Sequence, residues 1–203
     1  KGQQMISKNA KLISLVKNSQ CLERYIIEYC APTLAGIKTG GMFRIKFSSD
    51  VEMYTEIRKT RNILRSKNMS LMLLQNDGPN ALIYVFREDK LEEDLKDPDI
   101  DCLLGDLGYS KGNLKMVLRQ LKERMAVSTD FPHEIGAFLG YPPKDVIGFV
   151  ENRGSNCLCS GWWKVYHDAD TAKTMFKKFD KCREVYKKLY LTGRTMLQMT
   201  VVA

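Results

Sequence analysis

Apolar residues recur along this chain at two periods, and the switches between them mark out its elements. From about Asn9 to Tyr29, residues Leu12, Leu15, Val16, Leu22, Ile26 and Tyr29 return at steps of three and four, the spacing of one helix face. The stretch from Ala31 to Phe47 reads as two short strands around Thr39-Gly40-Gly41. Glycine tolerates positive φ there, and Phe43, Ile45 and Phe47 alternate with Met42, Arg44 and Lys46. Ser49 and Glu52 have capping-box spacing. The helix they open carries Val51, Tyr54, Ile57 and Leu64 on one side and Arg58, Lys59, Arg61, Arg65 and Lys67 on the other. Strands over Ser70–Gln75 and Ala81–Arg87 follow, joined by a turn containing Asp77-Gly78-Pro79.

From Glu88 to Asn152 the period is helical. Asp97 caps a helix with Pro98 at its first position, and Gly108 ends it. Ser110 caps the next, whose stripe is Leu114, Val117, Leu118, Leu121 and Met125. Asp130 and Pro132 open a short helix containing His133, which Gly140 closes. A strand over Gly161–His167, a long helix from about Asp170 to Leu191 and a last strand over Met196–Val202 complete the chain. Strands towards both ends and a helical middle, about residues 88–153, predict one compact α+β domain over residues 1–203. Its small antiparallel or mixed sheet would join distant segments, with the long helices packed on it.

A chain of 203 residues, 44% of them hydrophobic, buries roughly 70% of its unfolded surface and needs no staples. No apolar run reaches the ~18–20 residues of a membrane span, so no membrane partner is expected. The opening Lys1–Lys11 lacks an apolar secretory core. The six cysteines are therefore expected to be reduced thiols of a cytoplasmic protein. The net charge of +8 changes the picture more, because it favours an anionic ligand or nucleic acid as partner. Candidate anion-binding residues are Arg58, Arg61 and Arg65 on one helix and Lys177, Lys178, Lys181 and Lys188 on another. Trp162, Trp163 and Tyr166 precede the second helix. They are candidates to stack bases of a single strand, with packing the favoured alternative.

Gly136, Gly140 and Val146 are spaced as in a helix-turn-helix, in which small residues let two helices cross closely. The second helix would present Lys144, Asp145, Gly148, Glu151 and Asn152, and its two carboxylates would repel phosphate. A packing motif is favoured over a DNA reader. Cys157 and Cys159 are one residue apart, tighter than the usual zinc spacing. A metal site would need His133 and Cys182 gathered to them. His133-Glu134 lacks the second histidine of a zinc protease, because position 137 is alanine. His133 could pair with Cys30 or Cys182 as a thiol hydrolase, but both cysteines lie on apolar stripes and read as core. No phosphate-binding glycine loop or nucleophile elbow occurs, so no cofactor is indicated.

Three stretches together resemble a bacterial domain family of unknown function, met mainly in anaerobic Gram-positive bacteria. They are CAPTLAGIKTGGMF from Cys30, FPHEIGAFLGYPPKDVIGFVENRG from Phe131, and Gly161 to the end. The resemblance implies an intracellular protein with no assigned reaction, substrate or cofactor, and directs attention to Cys30, His133, Glu134 and Tyr141. Two functional expectations follow. One is a binding or regulatory module that meets an anionic partner through its basic helices. The other is an enzyme with a cleft around His133, Glu134 and Tyr141 and a thiol at Cys30. Trp162, Trp163 and the final strand would supply an exposed edge able to pair with a second copy as a homodimer.

Overall fold

The computed structural model describes residues 22–127 and 131–202. The expected helix positions Leu12, Leu15 and Val16, and the expected cap Asp130, lie outside the described residues.

Three strands form the main sheet: β1 (Gly40–Lys46), β2 (Met69–Asp77) and β3 (Asn80–Arg87), in the order β1-β3-β2 and antiparallel throughout. Every residue of β3 after Asn80 is buried. Alternate strand residues point to opposite faces. Ala81, Ile83 and Val85 therefore enter one core, and Leu82, Tyr84 and Phe86 another. The sheet carries helices on both faces, an α+β fold.

The first core is built by α1 (Leu22–Leu34), α2 (Asp50–Arg65) and the far end of a long helix that lies, in chain order, after five shorter ones. Those five are α3 (Glu88–Asp94), α4 (Pro98–Asp106), α5 (Leu114–Val127), α6 (Ile135–Phe138) and α7 (Pro143–Glu151). They supply Leu91, Leu104, Leu121, Phe138 and Val146 to the second core. The long helix is α8 (Ala169–Leu191), and a single turn, α9 (Met196–Met199), follows it. A small third core, around Trp163, Val165, Ala172 and Phe179, joins α8 to a two-stranded ribbon, β4 (Cys159–Ser160) with β5 (Lys164–Val165). The described residues contain no helix long and apolar enough to cross a membrane.

The sheet register slips once. Leu73 opposes Ile83 and Gln75 opposes Leu82, so Leu74 is the extra residue of a bulge. Leu74 and Gln75 thus both serve the second core: Leu74 packs in it, and the Gln75 amide donates to the Met125 carbonyl of α5.

Several local expectations hold. The hairpin turns at Gly78-Pro79, with Gly78 at φ +55°. Ser49 caps α2, accepting from the Glu52 N–H at 3.2 Å, but the box is not closed on the cap: the Glu52 carboxylate accepts from the N–H of Ser48, one residue earlier, at 2.8 Å. Asp97 accepts from the Asp99 and Ile100 N–H groups at 3.0 and 3.3 Å, and Pro98 opens α4. The stripe of α5 buries Val117, Leu121 and Met125 as expected.

Others are corrected. The first helix does not stop at Tyr29. It kinks at Cys30 (φ −120°, ψ 15°) and resumes to Leu34, with Pro32 in the first turn of the new segment, where its missing N–H is tolerated. Cys30 therefore lies within a helix, and Ala31–Leu34 is not strand. Gly40 and Gly41 do not make a turn. They belong to β1, and they are glycine because the backbone passes other groups closely: a Cβ at Gly40 would stand 2.6 Å from the Tyr84 ring, and one at Gly41 2.7 Å from the Cys30 sulfur. On α2 the buried face is Met53, Ile57, Thr60 and Leu64, leaving Val51 and Tyr54 exposed. Asn113, not Ser110, caps α5, accepting from the Met116 N–H at 3.2 Å. His133 lies ahead of α6 rather than inside it. The expected strand over 161–167 shortens to the two residues of β5. The expected last strand is instead α9, which the side chains of Thr195 and Gln198 close with a capping box. The main sheet is thus built from residues 40–87 alone, and the proposed edge for a second copy is not a strand, with Trp163 buried.

At the end of β3, Arg87 is completely buried. Its Nε donates to the Thr33 carbonyl at 2.8 Å, and Nη2 to the Leu34 and Val201 carbonyls at 2.9 and 2.7 Å. One cation thereby satisfies the carbonyl end of α1, where the helix dipole is negative, and ties down the chain after α9. Arg87→Met, close in length but without donors, is expected to lower stability by roughly 2–4 kcal/mol, read as an earlier urea midpoint at unchanged slope.

Candidate functional site: a ring-lined cleft

The helices α6 and α7 meet closely because of two glycines. A Cβ at Gly136 would stand 3.0 Å from a Val146 methyl, and Gly140, at φ +70°, reverses the chain between them. The crossing that the spacing predicted is present, and its second helix faces inward. Asp145 is buried: its Oδ2 accepts from the Trp163 indole N–H at 2.7 Å, and its Oδ1 from the backbone N–H groups of Tyr166 and His167 at 2.7 and 3.0 Å. Gly148 lies against Tyr166, where a Cβ would come within 2.6 Å. A carboxylate and a glycine expected to be presented outward instead bind α7 to the ribbon. The Tyr141 hydroxyl adds another tie, donating to the Trp162 carbonyl at 3.0 Å.

Between the α6–α7 pair and the β4–β5 ribbon lies a cleft of about 270 Å³, whose walls include His133, Ile135, Tyr141, Val146, Phe149, Trp163 and Lys164. Tyr141 stacks on Trp163 (5.1 Å between centroids, 28° between planes), and His133 meets Phe149 edge-on at 5.5 Å. Lys164 is exposed. Its ammonium donates to the Gly154 carbonyl at 2.7 Å and lies 5.9 Å from the Phe149 ring.

Behind Tyr141 sits a lysine at 6% exposure. The Lys38 ammonium donates to the carbonyls of Gly40 and of Leu139, the latter at 2.8 Å, and lies 4.9 Å over the Tyr141 ring. Burial pushes it down to about 7, against smaller upward pulls from Cys30 and Asp94. Cys30 is itself pushed up to about 12 by burial, so it is a neutral thiol at neutral pH, and Asp94 is the partner that can carry charge. Burial also raises Asp94, whose carboxylate accepts from the Thr39 hydroxyl. Close by, the Tyr84 hydroxyl donates to the Phe138 carbonyl.

The residues singled out by sequence scatter. His133 and Tyr141 share the cleft. Glu134 turns away and is buried, accepting from the Tyr109 hydroxyl at 2.9 Å and from Arg124 Nε at 2.8 Å. Cys30 belongs to the first core under the sheet. Among the described residues no three His, Cys, Asp or Glu side chains gather to hold a metal, so Cys157, Cys159, Cys182 and His133 do not converge. Arg58 and Arg65 are exposed on α2, where Arg61 Nε donates to the Leu71 carbonyl at 3.0 Å. Lys177, Lys178, Lys181 and Lys188 are exposed along α8. The tryptophans pack inward: Trp162 donates to Asp180 at 3.1 Å and meets Phe179 edge-on, and Trp163 is buried. Sequence reasoning missed Lys38, Asp145, Phe149 and Lys164. The signal for Lys38 was one lysine directly after the apolar run Leu34–Ile37 and before two glycines.

Residues 26–200 match DUF3793, a family of proteins of unknown function, and the chain belongs to that family. Neither a curated protein nor a solved structure matches it.

The Lys38 environment sets a pH dependence. Its ordinary value is 10.5 and its folded value about 7, so between these the unfolded chain holds more protons and stability rises with pH. Cys30 acts oppositely above its ordinary value of 9.0, where the unfolded thiol ionises first. Stability is therefore expected to climb by on the order of 1–2 kcal/mol between about pH 7 and 9 and then to level off. Urea midpoints across that range check this, and Lys38→Met is expected to abolish the climb.

Proposed function

We propose that this protein is a binding module for a small, planar, anionic molecule held in the cleft between α6–α7 and the β4–β5 ribbon. The observation that carries this reading is the pairing of ring walls with a lysine. Tyr141, Trp163, Phe149 and His133 line the cleft, and Lys164 adds a cation with donors beyond the one used on Gly154. The carboxylate in the lining, Asp145, has both oxygens engaged by N–H groups and offers a ligand little repulsion. A volume of about 270 Å³ suits a body of one or two fused rings, near the lower end of the ~300–1,000 Å³ of ligand pockets. Each ring contact would contribute about 0.5–1.5 kcal/mol beyond burial. The overall charge of +8, including the exposed lysines of α8, would raise the local concentration of such anions rather than hold them.

Binding is favoured over catalysis by the state of the candidate groups. Glu134 is consumed by Arg124 and Tyr109, and burial pushes the Tyr141 hydroxyl up to about 12 while it donates to a carbonyl. That hydroxyl is wall, not acid or base.

Quenching of tryptophan emission by 2-naphthoate and phenyl phosphate, with 2-naphthylmethanol as the neutral control, tests the reading. The anions are expected to bind about tenfold more tightly than the alcohol, the difference shrinking with salt and vanishing in Lys164→Met. Phe149→Ala should weaken all three. No saturable binding by any of them, or equal preference for anions in Lys164→Met, would remove it.

A further inference from the structure

Tyr141 belongs to the walls of two cavities. One is the cleft. The other, of about 400 Å³, lies against the α3–α4 segment, where Glu93, Asp94 and Asp97 contribute three carboxylates and Lys96 one ammonium, so that acid is in excess. Lys38 packs on the same ring, and its hydrogen-bonding partners are two carbonyls rather than a carboxylate.

We propose that Lys38 is a proton-operated latch on the cleft. When neutral it stays packed behind Tyr141 and the ring wall is closed. When protonated it is drawn toward the acidic cavity beyond Tyr141, and the wall loosens.

The argument starts from geometry. An ammonium at 6% exposure with only carbonyls as hydrogen-bond partners has given up its water without gaining a paired charge. Charging it therefore favours any arrangement that returns it to solvent or to an anion. The groups that act on it from the packed elements are the Cys30 thiol of α1, Asp94 of α3 and the Tyr141 ring, with the Tyr84 hydroxyl of β3 beside Gly40, one of its two carbonyl partners. Cys30 and Tyr84 are both pushed upward by burial and stay neutral near pH 7, which leaves Asp94 as the charge that attracts. The segment that must give way is short. It is the turn at 139–141, held by the Gly140 N–H on the Ala137 carbonyl at 3.3 Å, the Tyr141 N–H on the Gly136 carbonyl at 3.0 Å, and Lys38 itself on Leu139. The folded value of about 7 puts the transition in the neutral range. The closed form binds fewer protons than the open one, so closure, and with it ligand affinity, rises with pH. His133 lies in the same cleft and is the competing source of any pH effect there.

The effect on affinity rests on the cleft being a binding site, so the test uses the free protein. Amide hydrogen exchange at Gly140 and Tyr141, corrected for the intrinsic rate, is compared at pH 6.0 and 8.5. Protection is expected to rise about tenfold toward pH 8.5 in the wild type, to be the same within about twofold at the two values in Lys38→Met, and to keep its rise in His133→Asn. Asp94→Asn keeps an acceptor for Thr39 but removes the attracting charge. It is expected to move the midpoint to lower pH, and it carries the test should Lys38→Met fold poorly. A wild type without the rise, an unchanged rise in Lys38→Met, a rise lost in His133→Asn, or an unmoved midpoint in Asp94→Asn would each overturn the latch. If the rise is present but no ring anion binds, the latch stands and the ligand reading falls.

Discussion

A strand that buries both of its faces needs a layer of structure on each side, and β3 is such a strand. Its odd-numbered residues from Ala81 to Val85 and its even-numbered residues from Leu82 to Phe86 enter separate cores. Burying a Val, Ile, Leu or Phe side chain is worth about 1.5–3 kcal/mol, so neither face can be left to water. The helices before and after the hairpin are recruited to one face, and the helical middle of the chain to the other. The polar groups along β3 then act as fasteners: Arg87 holds the end of α1, and Tyr84 reaches into the second layer to the last carbonyl of α6.

The cleft follows from that second layer. The end of α6 is pinned to the sheet by Tyr84 and Lys38, which fixes where the chain turns and where Tyr141 points. Asp145 then fixes the other wall by gathering three N–H groups of the ribbon. A carboxylate that accepts three hydrogen bonds orients Trp163 and leaves Lys164 as the exposed charge beside the rings. A buried lysine behind the wall costs stability, and such a cost is characteristic of groups kept for something other than stability.

Much of this was legible in the chain. The hairpin at Gly78-Pro79, the proline-opened α4, the stripe of α5 and the long α8 all follow from spacing and turn chemistry. The close crossing at Gly136 was readable for the same reason. What failed did so where tertiary contacts overrode local pattern. Gly40-Gly41 looks like a turn by composition, but the requirement comes from Tyr84 and Cys30, which are distant in sequence or hidden by folding. Met196–Val202 alternates too little to choose between strand and helix, and Thr195 with Gln198 tips it to one helical turn. His133, Tyr141 and Trp163 could each be singled out, but not that they meet: Trp163 and Lys164 reach the other two through a ribbon only two residues long on each side. Asp145 read as an outward carboxylate because nothing local reveals that three N–H groups await it.

The most direct test of the cleft is a map of amide and indole shifts in labelled protein as 2-naphthoate is added. The account predicts that the largest changes fall on the Trp163 indole and on the backbone of Tyr141, Phe149 and Lys164, and that they saturate together. Changes confined to the lysine face of α8 or the arginine face of α2, with Trp163 unmoved, would contradict it.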